Sequence, residues 1–584
     1  MLKSEELDRQ SFEDIMKNAL YQIPKLYPKW TNFNPSDPGI TILELMAWLT
    51  EVQQYHLNVI RYEHKLRYLK LLGTAPKKAQ PAETYLKISA QNRMIPQGTV
   101  YFADDIPFET LYAFTATDNE ITAVENDISR IANDSNMLND MLFYPFGYEK
   151  SCSTFRLCLK KQPEIGTIMS FYFAVKPVED CGSITKDFKG FVELGISDCG
   201  EIISDETCGF SKSGTICIKI KKHIQKQKDN YFIEFSVLSG EYPIKPILSQ
   251  AVCNVVPAVQ KRTYPLLSEG IPERKLGRAI GVCNFSIPCE IEHILPQTLK
   301  IGIQESDGFY QWERVDDFDN STPNSRHFIF AKDKLIFGDG EKGMPPEGEI
   351  YLLGCAVSLD ALGNIKAGAM DYFDGSTESR AVNITPSTGG KTEETIDACF
   401  VRACENQDEP KRCVTLKDFE QAVRSVPGVP IHRVKAFLNE RIENCITIAV
   451  ENIKGSDRLN ECCLDHMRRY IIPKLMVGTR LEFTAPEYTC IYIYAELVPN
   501  RRDNITQQTE ELIEAFFENI NFGGTISINS LNKYICRTKW IDSVKSLDVS
   551  YSGGSAITLE NGDIQLKKSS LPKLKYISLS WSGR

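Results

Sequence analysis

The stretch Thr385-Pro386-Ser387-Thr388-Gly389-Gly390-Lys391-Thr392 ends like a phosphate-binding loop and lies between a strand-like run and a helix-like one. Such a loop needs Gly-x-x-x-x-Gly-Lys-Ser/Thr, because its glycines let successive backbone amides wrap a phosphate ahead of a helix. Here Thr385 holds the first glycine position, and Pro386 removes an amide and fixes the backbone. A glycine turn feeding a capped helix explains the residues better. Asp316, Asp317 and Asp319 open like a calcium loop. Counted from Asp317, however, Thr322 and Phe328 stand where the turn glycine and the bidentate glutamate belong. The seven histidines are scattered without a His-Glu-x-x-His pair, and no Gly-x-Ser-x-Gly elbow offers a serine nucleophile. The eighteen cysteines run from Cys152 to Cys536 with no Cys-x-x-Cys spacing, and Cys462 and Cys463 are adjacent. Cys217 and Cys490 sit in apolar strand-like runs, which suits reduced core cysteines better than a disulfide framework or a zinc knuckle. Carboxylate pairs that cleave glycosides are set by spacing in the fold, and nothing in the sequence supports one. We therefore expect no catalytic residue, cofactor or metal site.

The chain carrying these residues has 584 of them, which suggests about four domains at roughly 150 residues each. Hydrophobic residues at 42% and charged ones at 25% are in the balance of a globular protein. The 67 basic against 77 acidic groups leave a net charge of -10, which argues against a sequence-independent grip on nucleic acid. No secretory signal is recognisable at the amino terminus, and no run of 18 apolar residues offers a membrane span, so a cytoplasmic protein without direct membrane insertion is expected.

Residues 12–23 read as a short amphipathic helix that stops near Pro24 and Pro28. Asp37 followed by Pro38 is a strong helix start: the carboxylate accepts from free amides, and the proline sits where no donor is needed. No proline follows until Pro76, so one helix of about 50 Å is predicted from Pro38 to Leu72, with Gly73 as its stop. Leu45, Leu49, Val52, His56, Val59 and Leu66, with Ile42 and Glu63, alternate steps of three and four, the seam of a helical bundle. Leu43, Met46, Tyr55, Tyr62 and Leu69 fall off that seam, so the helix is apolar on more than one side and fits partner helices.

Residues 81–385 change to short β-prone runs broken by turn formers, including an expected hairpin from 215–220 to 231–235 with lysines at its tip. Helices return at 393–405 and 415–425, the second opened by a Thr415/Asp418 capping box. Two β-α-β rounds are expected after Gly428, the first over 446–483 and the second over 490–549. The fold class expected is α+β multidomain. It comprises a helical arm over 1–75, a β-rich core over 76–145 and 301–388, an inserted β domain over 146–300, and α+β domains over 389–486 and 487–584.

The loop and helix start Trp30-Thr31-Asn32-Phe33-Asn34-Pro35-Ser36-Asp37-Pro38-Gly39-Ile40-Thr41-Ile42-Leu43-Glu44-Leu45-Met46-Ala47-Trp48-Leu49 resemble the opening of baseplate J-like proteins. These are baseplate assembly proteins of phage-tail-like contractile systems. Four further stretches agree in order: Tyr68-Leu69-Lys70-Leu71-Leu72-Gly73, Ile95-Pro96-Gln97-Gly98-Thr99, Phe337-Gly338-Asp339-Gly340-Glu341-Lys342-Gly343-Met344-Pro345-Pro346, and Ser387-Thr388-Gly389-Gly390 leading through Val414-Thr415-Leu416-Lys417-Asp418-Phe419 to Val426-Pro427-Gly428-Val429. Residues 146–300 match no motif of that family. The resemblance implies a non-enzymatic wedge protein that pairs with a second wedge subunit through amino-terminal helices. It also implies wedges joined through carboxy-terminal domains into a six-fold ring around a central spike or hub, holding the sheath-loaded machine and widening on firing. The alternative from a different class is a carbohydrate-binding or carbohydrate-active β protein.

Overall fold

Ser11 opens the first helix, α1 (Phe12–Leu26), in a reciprocal capping box with Asp14. The helix runs through Pro24 and ends at Leu26, between the two prolines, Pro24 and Pro28, near which the sequence predicts its stop. So near a helix end a proline forfeits little, and the Tyr27 amide closes the turn on the Ile23 carbonyl at 2.8 Å. The structure is a computed structural model. It describes residues 10–582 apart from 59–61, 133–141, 149–151, 178–187, 225, 228–229, 266, 269–270, 273, 290, 332, 376–377, 406–411, 456–457, 501–504 and 554–555. The fold is α+β and multidomain, and it divides into two units, residues 1–79 with 392–408, and residues 80–391 with 409–584.

The first unit is helical. Asp37 caps α2 (Pro38–Asn58), accepting from the Gly39 amide at 2.9 Å and the Ile40 amide at 3.3 Å. The next described helix, α3 (Tyr62–Leu71), ends at Gly73, whose positive φ of 65° suits a residue without Cβ. The single long helix expected over 38–72 is thus seen as two described stretches, and residues 59–61 lie outside the described residues. A fourth helix, α4 (Ile396–Glu405), joins this unit, although the sequence pattern predicts an arm that ends at 75 and an α+β domain from 389. Leu69, Ile396, Cys399 and Ala403 form a small core there, with Leu66 and Phe400 packed on it. Its polar clasp is Glu394, which accepts two bonds from the Arg402 guanidinium at 2.8 Å and one from the Lys77 amide at 2.8 Å.

That clasp, the Arg402 bonds first and the Lys77 amide next, holds the Glu394 carboxyl at about 2, below its ordinary 4.5. Its folded pKa is depressed, so its stabilising contribution is complete above about 4.5 and is lost as pH falls toward 2. Melting of the helical unit should weaken with acid over that window. Glu394→Gln should flatten this part of the profile, as read by circular dichroism at several pH values.

The second unit is built from β modules. Its central sheet is antiparallel in the order Asp371–Asp374, Ser379–Asn383, Glu83–Ser89, Val255–Val259, Ile106–Thr110, Val100–Ala103. Val255–Val259 comes from inside the segment expected to be an independent insertion, yet it lies within this sheet, paired to Glu83–Ser89 on one side and Ile106–Thr110 on the other. Between Ile106–Thr110 and Val255–Val259 the chain builds two facing sheets. One runs Val192–Ile196, Asn230–Gly240, Thr154–Leu159, Ile121–Asn126, Arg130–Ala132, and the other Gly200–Asp205, Gly214–Ile220, Ile168–Val175, Leu248–Cys253. Alternating apolar residues from both, including Phe155, Phe173, Phe235 and Ile216, meet in one core with Phe210.

The expected hairpin of 215–220 with 231–235 is therefore corrected. These strands belong to different sheets, and the chain crosses from one to the other between them. Alternation reports only that each strand has a buried face, and both faces reach the same core here. Lys221 and Lys222 in the crossing meet Glu201 at 2.6 Å and Asp198 at 3.8 Å. A further group of strands spans Arg262–Pro265 to Glu347–Val357, on both sides of the expected boundary at 300, around Trp312, Phe328 and Phe337.

After the central sheet, α5 (Leu416–Arg424) opens on the Thr415/Asp418 capping box, as the sequence predicts. It packs with α6 (Glu461–Ile471) and the strands Arg433–Leu438, Cys445–Glu451 and Arg480–Thr484. Cys445–Glu451 and Arg480–Thr484 are parallel across α6, which is the first β-α-β round expected. The second round is corrected. Ile541–Ser552 runs antiparallel to Glu487–Pro499, while Ser570–Trp581 is its parallel neighbour, and the helices α7 (Ile505–Glu518) and α8 (Ile528–Cys536) cover the sheet. The junction between these two modules combines an apolar cluster, Ala449 with Phe522 and Leu571, with part-buried polar contacts. Tyr488 donates to Glu451 at 2.6 Å, and Arg433 donates to the Glu518 carbonyl at 2.7 Å.

Candidate functional site

Helix α2 separates two apolar sides. Ile40 and Ala47, seven residues apart, are 3% and 2% exposed, and Glu51, one turn on, accepts from the Phe12 amide of α1 at 3.0 Å. That side faces α1, whose Met16 and Ile23 are buried. At about 100° per residue, Leu45, Leu49, Val52 and His56 project from the opposite side, joined by Ile42 and Met46. There Leu45 is 53% exposed and Leu49 40%, His56 is exposed, and Val52 is half-buried. Of the other seam residues, Leu66 packs on the α3–α4 core, and Val59 lies outside the described residues. The expected single seam is thus divided: its amino-terminal half is open, and Leu66 is engaged within the unit.

The start of this helix explains why its sequence is so particular. A Cβ on Gly39 would lie 2.3 Å from the Trp30 ring, so glycine lets Trp30 close over the first turn. Asn32 donates to the Asp37 carboxylate at 3.3 Å, fixing the loop that carries the cap.

Three amides of the glycine turn are occupied. Thr388 N–H donates to the Glu83 carbonyl, Lys391 N–H to the Gln80 carbonyl, and Gly390 N–H to Asn364 Oδ1. Helix α4 begins only at Ile396. A phosphate finds neither the free amides nor the helix start it requires. A Cβ on Gly390 would sit 2.3 Å from the Asp360 carbonyl oxygen. Gly390→Ala should therefore lower the melting temperature measurably, whereas Lys391→Ala, at an exposed position, should leave it unchanged, with no shift in either case on adding ATP. Asp316 pairs with Arg314 at 2.5 Å, and Asp317 accepts from the Asp319 amide at 3.0 Å, so these carboxylates serve their own loop. Among the described residues no group of three or more His, Cys, Asp or Glu could hold a metal ion. Among the described residues no helix is long and apolar enough to cross a membrane.

One site the sequence does not reveal is a cleft of about 1340 Å³, lined by Tyr85, Phe191, Glu206, Lys212 and Arg469 among others. Burial pushes the Glu206 carboxyl up, and Thr215 donates to it at 2.7 Å. Its walls come from residues hundreds of positions apart, brought together by sheet pairing and by the packing of α6, so no local spacing could have flagged it.

No protein-family model matches the chain. No curated protein matches it. Among solved structures it is similar to a chain of the anti-feeding prophage baseplate, solved with six-fold symmetry. That likeness has a TM-score of 0.37 and 12% identity, and covers 96% of this chain and 89% of that one. It is also similar to a chain of the TssK-TssF-TssG baseplate subcomplex of a type VI secretion system. There the TM-score is 0.35 and the identity 9%, over 74% of this chain and 93% of that one. The resemblance to baseplate J-like proteins accordingly rests on the motifs of this chain.

Proposed function

We propose that the chain is a structural, non-enzymatic subunit of the baseplate of a contractile phage-tail-like injection machine. In this reading its helical arm pairs with a second wedge subunit, and its carboxy-terminal modules join neighbouring wedges into a six-fold ring around the spike. The ring holds the sheath-loaded machine and changes conformation on firing. The observation that carries an assembly role is the open apolar side of α2, with Ile42, Leu45, Met46 and Leu49 all exposed on a helix whose opposite side is already covered. An apolar patch of this kind marks an interaction site. The kind of assembly comes from the motif that opens α2 and from the ordered motifs that follow it. The test is electron microscopy of particles from a strain lacking this chain. Sheath and tube without a baseplate are expected, and complete particles would overturn the proposal.

A further inference from the structure

A second exposed apolar surface lies in the other unit, where α5 begins and α6 ends. Cys413 and Leu475 form an isolated parallel bridge, and the Cys413 amide donates to the Lys474 carbonyl at 2.8 Å. Cys413 is buried in the module core and Leu475 packs on the same core. Side chains alternate along paired extended chain, so the next residues on each strand, Val414 and Met476, point outward side by side. Both are exposed, as are Leu416 on the first turn of α5, Ile472 before the bridge and Val477 after it. Isolated exposed apolar residues are ordinary, but five from two segments brought together by a backbone bridge are a surface.

Most of the charge along the two segments is positive, with Asp465, just before the second, paired to Arg468 at 3.7 Å. Residues 466–480 contain Arg468, Arg469, Lys474 and Arg480 and no carboxylate, in a chain whose net charge is -10. Arg412 and Lys417 flank the other segment, and both are exposed. The nearest carboxylate there, Asp418, is turned to the Val414 and Thr415 amides at 2.9 and 2.7 Å as part of the helix cap.

We infer that this surface docks an acidic, amphipathic segment of a partner protein, its apolar residues on Val414, Met476 and Val477 and its carboxylates toward Lys417, Lys474 and Arg480. The inference is independent of the role given to the α2 face, because it concerns a different unit and a different chemistry. A protein segment suits the surface better than a lipid headgroup layer, since none of the five outward residues is aromatic, the type enriched where proteins meet a bilayer interface.

The experiment uses the full chain and a labelled synthetic helix with leucines on one side and glutamates on the other, read by fluorescence anisotropy. The same helix with lysines for glutamates and phosphatidylserine vesicles serve as comparisons. Binding of the acidic helix is expected, weakened by salt and by at least roughly tenfold in Met476→Asp/Val477→Asp and in Lys417→Glu/Lys474→Glu. These positions are exposed or half-buried, and a thermal melt matching the native chain shows that the variants fold. Equal binding of the basic helix, or binding indifferent to both variants, overturns the inference. Vesicle binding without helix binding, lost in the same variants, assigns the surface to a membrane and overturns it. So does self-association of the chain that both variants abolish, which assigns the surface to a second copy.

Discussion

Replacing residues 146–300 with a short glycine-serine linker is expected to leave no cooperatively melting protein, although the sequence presents that segment as a separable insertion. The deletion removes Val255–Val259 from within the central sheet, where Val255, Val256 and Ala258 are fully buried and strands pair on both sides. Each large aliphatic withdrawn from a core forfeits about 1.5–3 kcal/mol, and a whole domain holds only about 5–15 kcal/mol in reserve. It also uncovers a second face. Phe155, Phe171, Phe173 and Phe235 of the two facing sheets share one continuous core with Phe419, Val423, Ile448 and Met467 of the module that follows the central sheet. The Phe191 and Phe188 rings lie 4.6 and 5.8 Å from His466 on α6. Circular dichroism melting and size-exclusion chromatography check this, with loss of the transition and aggregation as the expected result. A soluble remainder with a sharp transition would show that the cores are separable.

The other large effect belongs to the arm. Leu45→Asp with Leu49→Asp should abolish incorporation of the chain into assembled particles while leaving its own melting unchanged, because both side chains are exposed in the isolated chain. Each leucine covered by a partner helix contributes about 1.5–3 kcal/mol, and an aspartate in its place puts an unpaired charge into a dry interface, at a cost of several kcal/mol. Two such changes exceed what most interfaces can lose. Co-sedimentation with particles, beside a thermal melt of the purified variant, is the measurement. Normal incorporation would mean that this face is not an assembly contact. Unfolding of the variant would place Leu45 and Leu49 in the protein's own core.

Local chemistry was readable wherever a few neighbouring residues decide the outcome. The Asp37-Pro38 start of α2, the Thr415/Asp418 cap and the strand–helix–strand round across α6 depend on side chains reaching nearby backbone or on short periodicity. The failure of the glycine turn as a phosphate loop was legible in Pro386. Its positive explanation was not, because the groups occupying its amides, Gln80, Glu83 and Asn364, are brought there by the fold. The apolar wealth of α2 was also plain in the sequence. Which side meets α1 and which stays open was not, because a helix with two apolar sides does not by itself say which of them its own chain covers.

By itself, then, the sequence determined the kinds of element present, the caps that start them, and the excess of apolar surface along α2. Only the tertiary structure decided partnership. Gly214–Ile220 and Asn230–Gly240 went to opposite sheets because a strand's alternation specifies that it has a buried face and not which neighbour shares it. Residues 396–405 joined the helical unit because Leu66 and Leu69 needed an apolar cover that Ile396, Cys399 and Ala403 supply from more than 300 residues away. The surface at Val414 and Met476 exists only because one backbone bridge sets two distant segments side by side. Periodicity acts over a few residues, whereas burial is satisfied by whatever apolar surface the whole chain can bring near.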